Sequence, residues 1–416
     1  MSDRDDSPGR FRSRFALPRD AAGEPLVYFC GHSLGLMPLA AREVVTEELD
    51  SWAALGIEAQ FSGRRPWVEY AGQVTAGFAA LAGAQAHEVV AMNALTVNLH
   101  LLLASFYRPR GERRRVLIEA GAFPSDRHAV AAQIAWHGLD PGECLFELAP
   151  RGGEDLLREE DIEAAIGRAG DTLALVLWPG VQYLTGQAFD IARLTGAARQ
   201  AGAAIGFDLA HAIGNVPLAM HDSGADFAVW CSYKYLNAGP GAIGGAFVHE
   251  RHARRADMPR LSGWWGVDPD TRFRMAHGFE CAPGAAGWQV SNPPILSTAP
   301  LLASLQLFGE ARLPLLRQQS IVLTRALESE IDRLPTGEVT LVSPREASAR
   351  GAQLSLRVRG ARDRGRRVHA ALGARGIVGD WREPDILRIA PVPLYNTLAE
   401  VRRCGQALRE ALVAEP

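Results

Sequence analysis

The sequence predicts an α/β fold in which a mostly parallel sheet is covered by helices, followed by a smaller α+β domain. Between residues 116 and 249, short apolar strand runs alternate with helical segments. This alternation is typical of a parallel sheet buried on both faces. After the proline-rich stretch at 292–294 the chain changes to strands at 339–342, 353–358 and 386–389 with helices between and after them. The length of 416 residues also favours two domains of about 100–200 residues or more.

The individual elements are predicted from apolar spacing: residues three and four apart indicate a helix, and a short apolar run indicates a strand. Strands of the first domain are predicted at 116–119, 173–178, 204–207, 227–231 and 246–249. Helices are predicted at 40–55, 94–106, 129–137, 191–200, 299–334 (one long helical region), 365–372 and 398–412. We therefore expect an N-terminal arm and helix at 1–55 that packs with the small domain, a large domain at 56–297, and a small α+β domain at 298–416.

Composition and charge indicate an ordinary soluble globular protein. Apolar residues make up 47% and charged residues 22%, and the net charge of −3 gives no reason to expect nucleic acid or an anionic membrane as a partner. Five scattered cysteines without a CxxC pair indicate reduced thiols. Residues 1–14 contain no apolar signal segment, and no apolar run reaches the roughly 18 residues that span a bilayer. A cytoplasmic location is therefore expected.

Two motifs match other classes of protein but lie in the wrong context. Gly31–Gly35 fits the G-x-S-x-G pattern, in which Ser33 would be a hydrolase nucleophile, but only one short strand precedes it. A turn is the better interpretation, and a serine hydrolase remains the alternative from another class. Glycines 239, 241 and 244 fit G-x-G-x-x-G but precede a strand instead of opening a helix. No histidine pair at i, i+4 indicates zinc, so no metal is expected.

Lys234 is the first candidate for catalytic chemistry. It follows the apolar strand at 227–231, among aromatic and small residues, where desolvation favours a neutral amine. A neutral lysine is what Schiff-base chemistry with pyridoxal 5′-phosphate (PLP) requires. Asp208 ends the strand at 204–207, and a PLP enzyme needs a carboxylate beside the pyridine nitrogen so that the ring acts as an electron sink. From placement alone, a surface lysine and a helix-capping aspartate stay open.

Two further features are compatible with a PLP site. Asn93-Ala94-Leu95-Thr96 opens a predicted helix and supplies a hydroxyl and free N–H groups for a phosphate. Phe123 follows the strand at 116–119 and is placed to stack on a ring. Taken alone, the first feature is equally a helix cap and the second a core residue.

In order along the chain, nine stretches resemble kynureninase, a fold-type-I PLP enzyme, from Tyr28 to Asn396. They are GHSLGLMP (31–38), MNALTVNLHL (92–101), AFPSDRH (122–128), TGQ (185–187), DLAHAIGN (208–215), YKYLNAGPG (233–241), GWWG (263–266), SNPPIL (291–296) and RIAPVPLYN (388–396). The resemblance implies the fold-type-I architecture, with a seven-stranded sheet in the large domain. It also implies hydrolysis of L-kynurenine or 3-hydroxy-L-kynurenine to an anthranilate and L-alanine, within tryptophan catabolism and NAD biosynthesis.

The resemblance also implies a role for each matching residue. Lys234 would hold PLP and move protons, Asp208 would pair with the pyridine nitrogen, and His211 would support it. The other implied cofactor contacts are Leu95, Thr96, Phe123, Ser125, Asp126 and Tyr233, with Trp264 and Asn292 reaching the cofactor of a neighbouring subunit. A homodimer with active sites at the subunit interface is therefore expected. Arg388 would bind the substrate α-carboxylate, a bidentate role that suits guanidinium. Gln60, Ser291 and Asn292 are candidates for the pocket that holds the substrate ring.

The resemblance leaves some points open. His32, Val267 and Pro179 stand where the family usually has Asn, His and a small polar residue, which bears on substrate preference more than on the reaction. Another fold-type-I PLP lyase, such as a cysteine desulfurase, is the nearest alternative, and Cys281 is its candidate catalytic thiol. Tyr233 is the candidate acid for the hydrolytic step, a role that requires its pKa to fall from about 10.

Overall fold

The computed structural model describes residues 7–253, 255, 257–275, 277–361 and 363–415. Its strands are β1 Val27–Tyr28, β2 Val89–Ala91, β3 Arg115–Glu119, β4 Leu145–Leu148, β5 Leu173–Pro179, β6 Ala204–Asp208, β7 Phe227–Trp230, β8 Gly245–Val248, β9 Val339–Leu341, β10 Leu354–Val358, β11 Ile377–Val378, β12 Asp380–Arg382 and β13 Ile386–Ile389. Its helices are α1 Leu39–Leu55, α2 Gly72–Ala82, α3 Leu95–Phe106, α4 Pro124–Trp136, α5 Pro141–Cys144, α6 Glu159–Ala169, α7 Ile191–Gln200, α8 Met220–Ser223, α9 Glu250–Ala253, α10 Ile295–Ala311, α11 Leu313–Asp332, α12 Arg364–Ala374 and α13 Leu398–Ala414.

A seven-stranded sheet forms the centre of the larger part of the molecule. Its strand order is β2-β8-β7-β6-β5-β3-β4, and β8 runs antiparallel to both of its neighbours, β2 and β7. Every other pair in the sheet is parallel. The predicted α/β fold with a mostly parallel, seven-stranded sheet is therefore confirmed.

The two faces of this sheet support separate apolar cores. Along β5, Trp178 packs into one core and Leu177 into the other, because successive side chains of a strand point to opposite faces. The helices α2, α6, α7 and α10 contribute to the first core, and α3 and α4 to the second. Burial on both faces explains why β5 is an almost unbroken apolar run.

The two strands at the edges of this sheet were not predicted. β2 has three residues, and β4 is only half-buried with the exposed Glu147 in its middle. Such short or partly polar segments lack the apolar run by which the inner strands were recognised.

The C-terminal part contains an antiparallel sheet in the order β12-β13-β10-β9, packed against α11, α12 and α13. The helical region predicted at 299–334 is two helices, α10 and α11, separated by Arg312 with a φ of 60°. Pro314 stands in the first turn of α11, where its missing N–H costs no helical hydrogen bond. The new helix therefore starts at this point.

The N-terminal segment contacts both parts of the molecule. β1 pairs in parallel with β11, and α1 packs against α10. A few residues beyond β1, the Gly35 N–H donates to the carbonyl of Tyr233 at 2.8 Å. The segment therefore connects the C-terminal part with the loop that follows β7. Among the described helices, none is long and apolar enough to cross a membrane.

Candidate active site

A pocket opens at the carboxyl ends of β3, β5 and β6 and beside the loop after β7. This is where ligands bind in open α/β sheets. Its lining residues are Ile118, Glu119, Ala122, Phe123, Asp126, Leu177, Trp178, Pro179, Val181, Tyr183, Asp208, His211 and Lys234. Of the predicted site residues, the structure thus brings together Lys234, Asp208, His211, Phe123 and Asp126.

The amine of Lys234 lies beside an imidazole. Its Nζ is 3.0 Å from His211 Nε2 and 5.7 Å from the centroid of the Phe123 ring. Burial lowers the pKa of His211 well below its usual value, and the charges of Lys234 and Arg388 lower it further. His211 is therefore a neutral imidazole at neutral pH. Among the described residues no carboxylate forms an ion pair with Lys234, so the amine is not held in a salt bridge.

Three carboxyl groups meet in the pocket wall: Glu119 at the end of β3, Asp126 in α4, and Asp208 at the end of β6. Burial, followed by the negative charge of Asp208, raises the pKa of Glu119 to about 8, against a hydrogen bond from Gln182. Burial and Asp208 also raise the pKa of Asp126 well above its usual value. Asp208 itself accepts a hydrogen bond from the Ala210 N–H at 2.6 Å. Glu119 and Asp126 are therefore the two carboxyl groups of this wall whose protonated form is favoured.

Glu119 was missed by the sequence reasoning, although a signal was available. It is an acidic residue at the end of a buried apolar strand, the same signal that identified Asp208.

One corner of the site is formed by the N-termini of α3 and α4. The hydroxyl groups of Thr96 and Ser125 are 2.7 Å apart. Ala94 and Phe123, the residues before the two helices, offer no side-chain cap. The N–H groups of Leu95 and Thr96 at the start of α3 are therefore available to an anion. In α4, whose first residue Pro124 has no N–H, the available group is that of Ser125. The predicted phosphate-binding residues Leu95, Thr96 and Ser125 thus come together.

Arg388 is buried on β13 and is already engaged by protein groups. Its Nε donates to Asp380 Oδ2 at 2.7 Å, and its Nη1 donates to the carbonyl of Tyr183 at 2.6 Å. Its Nη2 is 2.5 Å from the same Asp380 oxygen without the alignment of a hydrogen bond. Asp380 also accepts from Arg382. The predicted carboxylate clamp therefore includes an acidic partner, Asp380, that the sequence did not reveal.

The three positions that depart from the usual family pattern lie in different surroundings. His32 is fully buried, with Nε2 3.9 Å from Asp380, and burial with the charge of Arg388 lowers its pKa to about 3. It is therefore uncharged. Pro179 lines the pocket, whereas Val267 pairs with Cys281 in an isolated bridge.

Among the predicted residues that do not line the pocket around Lys234 in this chain, four are exposed or half-buried elsewhere. Trp264 is 49% exposed, and its indole N–H donates to the carbonyl of Arg272. Ser291 and Asn292 are exposed, and Gln60 ends a short 3-10 helix and is half-buried.

Tyr233 lies three residues after β7 and is half-buried, with its ring centroid 6.0 Å from Lys234 Nζ. Burial, with added contributions from Cys231 and Asp208, raises the pKa of its hydroxyl above the usual value. The lowered pKa that the acid role requires is therefore not produced by the protein groups around it.

The structure does not support the other chemistries that the sequence left open. Ser33 lies in a turn after β1, which pairs with β11 and is not part of the large sheet, so no nucleophile elbow is formed. Glycines 239, 241 and 244 precede β8, as expected. Cys281 does not line the pocket; it contacts Arg260, and burial raises the pKa of its thiol.

The residues of the pocket fit PLP. Asp126 Oδ1 and His211 Nδ1 are buried without a hydrogen-bond partner among the described atoms. The amine of Lys234, which has no salt bridge, suits the aldehyde of PLP. The strand-end carboxylate of Asp208 suits its pyridine nitrogen, and the two uncapped helix N-termini suit its phosphate.

Comparison with known proteins gives relatives along nearly the whole chain. A family model described as the kynureninase C-terminal domain matches residues 316–408. A kynureninase from Xanthomonas campestris pv. campestris (strain B100) is 54% identical over 392 residues, which cover 94% of this chain and 92% of the relative. A kynureninase from Myxococcus xanthus (strain DK1622) is 53% identical over 406 residues, covering 98% and 95% of the two chains.

Solved structures show the same fold at much lower identity. The cysteine desulfurase CsdA from Escherichia coli has a TM-score of 0.79 and 18% identity, with 98% of each chain covered. A mutant of C-DES with glycine covalently linked to the PLP cofactor has a TM-score of 0.76 and 19% identity, covering 92% of this chain and 96% of its own. These likenesses establish the fold-type-I architecture that the sequence predicted.

Proposed function

The chain belongs to the kynureninase family, and on that premise we propose that its pocket hydrolyses L-kynurenine or 3-hydroxy-L-kynurenine to an anthranilate and L-alanine. The products place it in tryptophan catabolism. One observation above all assigns this activity to the pocket. The amine of Lys234 lies 3.0 Å from His211, has no salt bridge among the described residues, and shares the pocket with Asp208.

Each pocket residue has a role toward PLP in this proposal. Lys234 holds the cofactor covalently, and Asp208 pairs with the pyridine nitrogen. Thr96 and Ser125, together with the N–H groups at the start of α3 and α4, bind the phosphate, and Phe123 forms one wall beside the ring. The bound cofactor supplies an electron-withdrawing ring that stabilises negative charge on the substrate.

The protonation of Glu119 and Asp126 supports the role of Asp208. Because the pKa values of both neighbours are raised, they add little negative charge at neutral pH. Asp208 is then the group that balances a protonated pyridine nitrogen. A second ionised carboxyl beside it would add repulsion between like charges.

Lys234 also moves the proton of the substrate α-carbon. This task requires an amine that is free to accept a proton once the substrate has entered, and no carboxylate among the described residues forms an ion pair with Lys234. His211 accepts a hydrogen bond from Nζ through Nε2 and so orients the amine. Since His211 is neutral, it does not add a positive charge that would compete for the carboxylate of Asp208.

Arg388 binds the α-carboxylate of the substrate. Its Nη2 has no aligned hydrogen-bond partner and is the donor that remains for a ligand. Asp380 holds the guanidinium in place through Nε, and Arg382, which shares Asp380, adds positive charge nearby. Tyr233 is the proposed proton donor, a role in which the bound substrate and cofactor must offset the raised pKa of its hydroxyl.

The chain acts as a homodimer in which each subunit completes the other's site. The exposed positions of Trp264, Ser291 and Asn292 support this arrangement, because these predicted contacts do not reach the pocket of their own chain. Gln60 is proposed to contact the substrate ring with Ser291 and Asn292. A cytoplasmic location is supported by the five unpaired cysteines, since disulfides are rare in that compartment.

Product formation tests the activity. The purified, PLP-loaded protein is incubated with each of the two substrates, and the products are followed by anthranilate fluorescence and by an alanine assay. The rates give kcat/KM for each substrate. We expect both products in equal amounts, and none with Lys234→Ala. Release of sulfide from cysteine without cleavage of either kynurenine would contradict the proposal and favour a desulfurase.

Mixing variants tests the shared site. Lys234→Ala and Asn292→Asp are each expected to be nearly inactive as homodimers. When the two are unfolded and refolded together, mixed dimers contain one site with both native residues, so part of the activity should return. If mixing restores nothing while the native protein recovers under the same treatment, Asn292 does not serve the site of a neighbouring subunit.

A further inference from the structure

Three polar side chains meet at the sheet edge formed by β2 and β8, away from the pocket around Lys234. Glu88 precedes β2, His221 lies in α8, and His249 follows β8. His221 Nδ1 is 3.0 Å from Glu88 Oε2, and His249 Nδ1 is 3.8 Å from Glu88 Oε1. One carboxylate oxygen and one nitrogen from each ring all lie within 4.8 Å of one another.

These distances match the ligand shell of a small divalent metal ion. Zinc binds imidazole nitrogen and carboxylate oxygen at about 2.0–2.2 Å. Neighbouring ligands around such an ion are therefore about 3.0–3.6 Å apart in octahedral or tetrahedral geometry. The two nitrogen–oxygen distances, 3.0 and 3.8 Å, lie within a few tenths of an ångström of this range. The two ring nitrogens lie within 4.8 Å of each other, so the rings would turn toward a shared ion when it binds. Two histidines and a carboxylate are also a ligand set of known zinc enzymes.

The surrounding backbone fixes the carboxylate. Glu88 is completely buried, and its two oxygens accept hydrogen bonds from the N–H groups of Gln85 and Glu250, each at 2.9 Å. Three of about four lone-pair sites are used when the His221 contact is included. Binding of an ion would therefore replace the proton between His221 and Glu88 and leave the two backbone hydrogen bonds intact.

The two rings are also oriented, and one of them reaches the surface. The rings of His221 and His249 are stacked, with planes 14° apart and centroids separated by 5.4 Å. His249 Nδ1 accepts from the Arg251 N–H at 3.2 Å, a long contact that a metal would displace. The side chain of His221 is 29% exposed, which provides a route of entry.

We propose that Glu88, His221 and His249 bind one divalent transition-metal ion of the zinc class, with water completing the coordination. The ion would join three segments that are distant in sequence: the residue before β2, α8 and the residue after β8. Because none of the three ligands lines the pocket around Lys234, the ion would stabilise this sheet edge without entering the reaction. The three residues are separated by 133 and 28 positions, so no local spacing in the sequence indicated them.

Zinc titration of the PLP-loaded protein tests the site. The protein is freed of metal with a chelator, and Zn²⁺ is then added in competition with a chromophoric chelator. We expect one ion per chain, with an affinity at least about tenfold weaker in His221→Ala and in His249→Ala. His87→Ala is the matched control, because His87 lies next to Glu88 but contacts Glu250 and is not a proposed ligand; its affinity should equal that of the native protein.

Spectroscopy with Co²⁺ distinguishes this site from the thiols. Cobalt bound by nitrogen and oxygen lacks the near-ultraviolet thiolate band that a cysteine ligand produces, and we expect none. The native protein should also gain thermal stability with Zn²⁺, whereas His221→Ala should not. The proposal is overturned by less than one ion per chain, by equal affinity in His221→Ala, by a loss in His87→Ala as large as in His221→Ala, or by a thiolate band.

Discussion

Replacing Glu119 with glutamine should make the protein more stable at high pH and change little at low pH. The carboxyl keeps its proton in the folded protein up to about pH 8, whereas the ordinary pKa of glutamate is 4.5. Its contribution to stability is therefore fully present below pH 4.5 and is lost as the pH rises to about 8. Glutamine has nearly the same shape, cannot ionise, and can still accept the hydrogen bond from Gln182.

The size of the effect follows from the two pKa values. Relative to pH values below 4.5, the ionisation of Glu119 lowers the free energy of unfolding by about 3 kcal/mol at pH 7 and by up to about 5 kcal/mol above pH 9. Between about pH 5.5 and about pH 8.5, the free energy of unfolding of Glu119→Gln should rise by about 3 kcal/mol relative to the native protein. The contributions of titrating groups that do not interact with Glu119 cancel in this comparison.

Urea unfolding of the cofactor-free protein, followed by circular dichroism at the two pH values, measures this difference. Glu112→Gln is the matched control, because Glu112 is exposed, and its difference from the native protein should not depend on pH. If Glu119→Gln differs from the native protein by the same amount at both pH values, Glu119 is not protonated in the folded state. Asp208 would then share its negative charge with a second carboxylate.

Four further substitutions test the proposed site. Lys234→Ala should abolish turnover and the visible absorption of lysine-bound cofactor; a variant that turns over normally would remove Lys234 from the chemistry. Asp208→Ala should lower kcat on the order of a hundredfold or more with little change in Tm, and full activity would refute its pairing with the pyridine nitrogen. Arg388→Lys keeps the charge but loses the planar fork, so kcat/KM should fall about tenfold to a hundredfold; an unchanged value would mean that another group binds the carboxylate. Gly35→Ala places a Cβ 2.3 Å from the carbonyl oxygen of Lys234. This clash should lower the free energy of unfolding by about 1–3 kcal/mol, and with it the Tm and the cofactor affinity. Gly152→Ala, whose new Cβ has no atom within 4 Å, is the control and should change neither Tm nor cofactor affinity.

The inner strands and the residues at their ends could be predicted from sequence. An apolar run of four to six residues identifies a strand that is buried on both faces. A polar residue at or just after its end then lies at the ligand-binding edge of the sheet. That reasoning placed Asp208 and Lys234 correctly beside the pocket, and it applied equally to Glu119. The fold class therefore followed from local patterns, because parallel sheets leave a strong apolar signal.

Features that depend on contacts between distant residues could not be predicted. Asp380 beside Arg388, and Thr96 beside Ser125, are pairs created by packing. The break at Arg312 was also missed, because the apolar spacing continues through it. The division into segments at 1–55, 56–297 and 298–416 and the roles of Trp264 and Asn292 stay predictions.

The N-terminal segment has a consequence for how substrate binding and chemistry are coupled. Residues 27–28 form part of a strand pair with β11, close to Asp380 and the arginine it holds, and Gly35 is hydrogen-bonded to the residue before Lys234. A segment of eight residues thus connects β11, next to Asp380 and Arg388, with the loop that carries Lys234. Because this connection is made by backbone hydrogen bonds at both ends, the position of the Lys234 loop is tied to that of the C-terminal sheet.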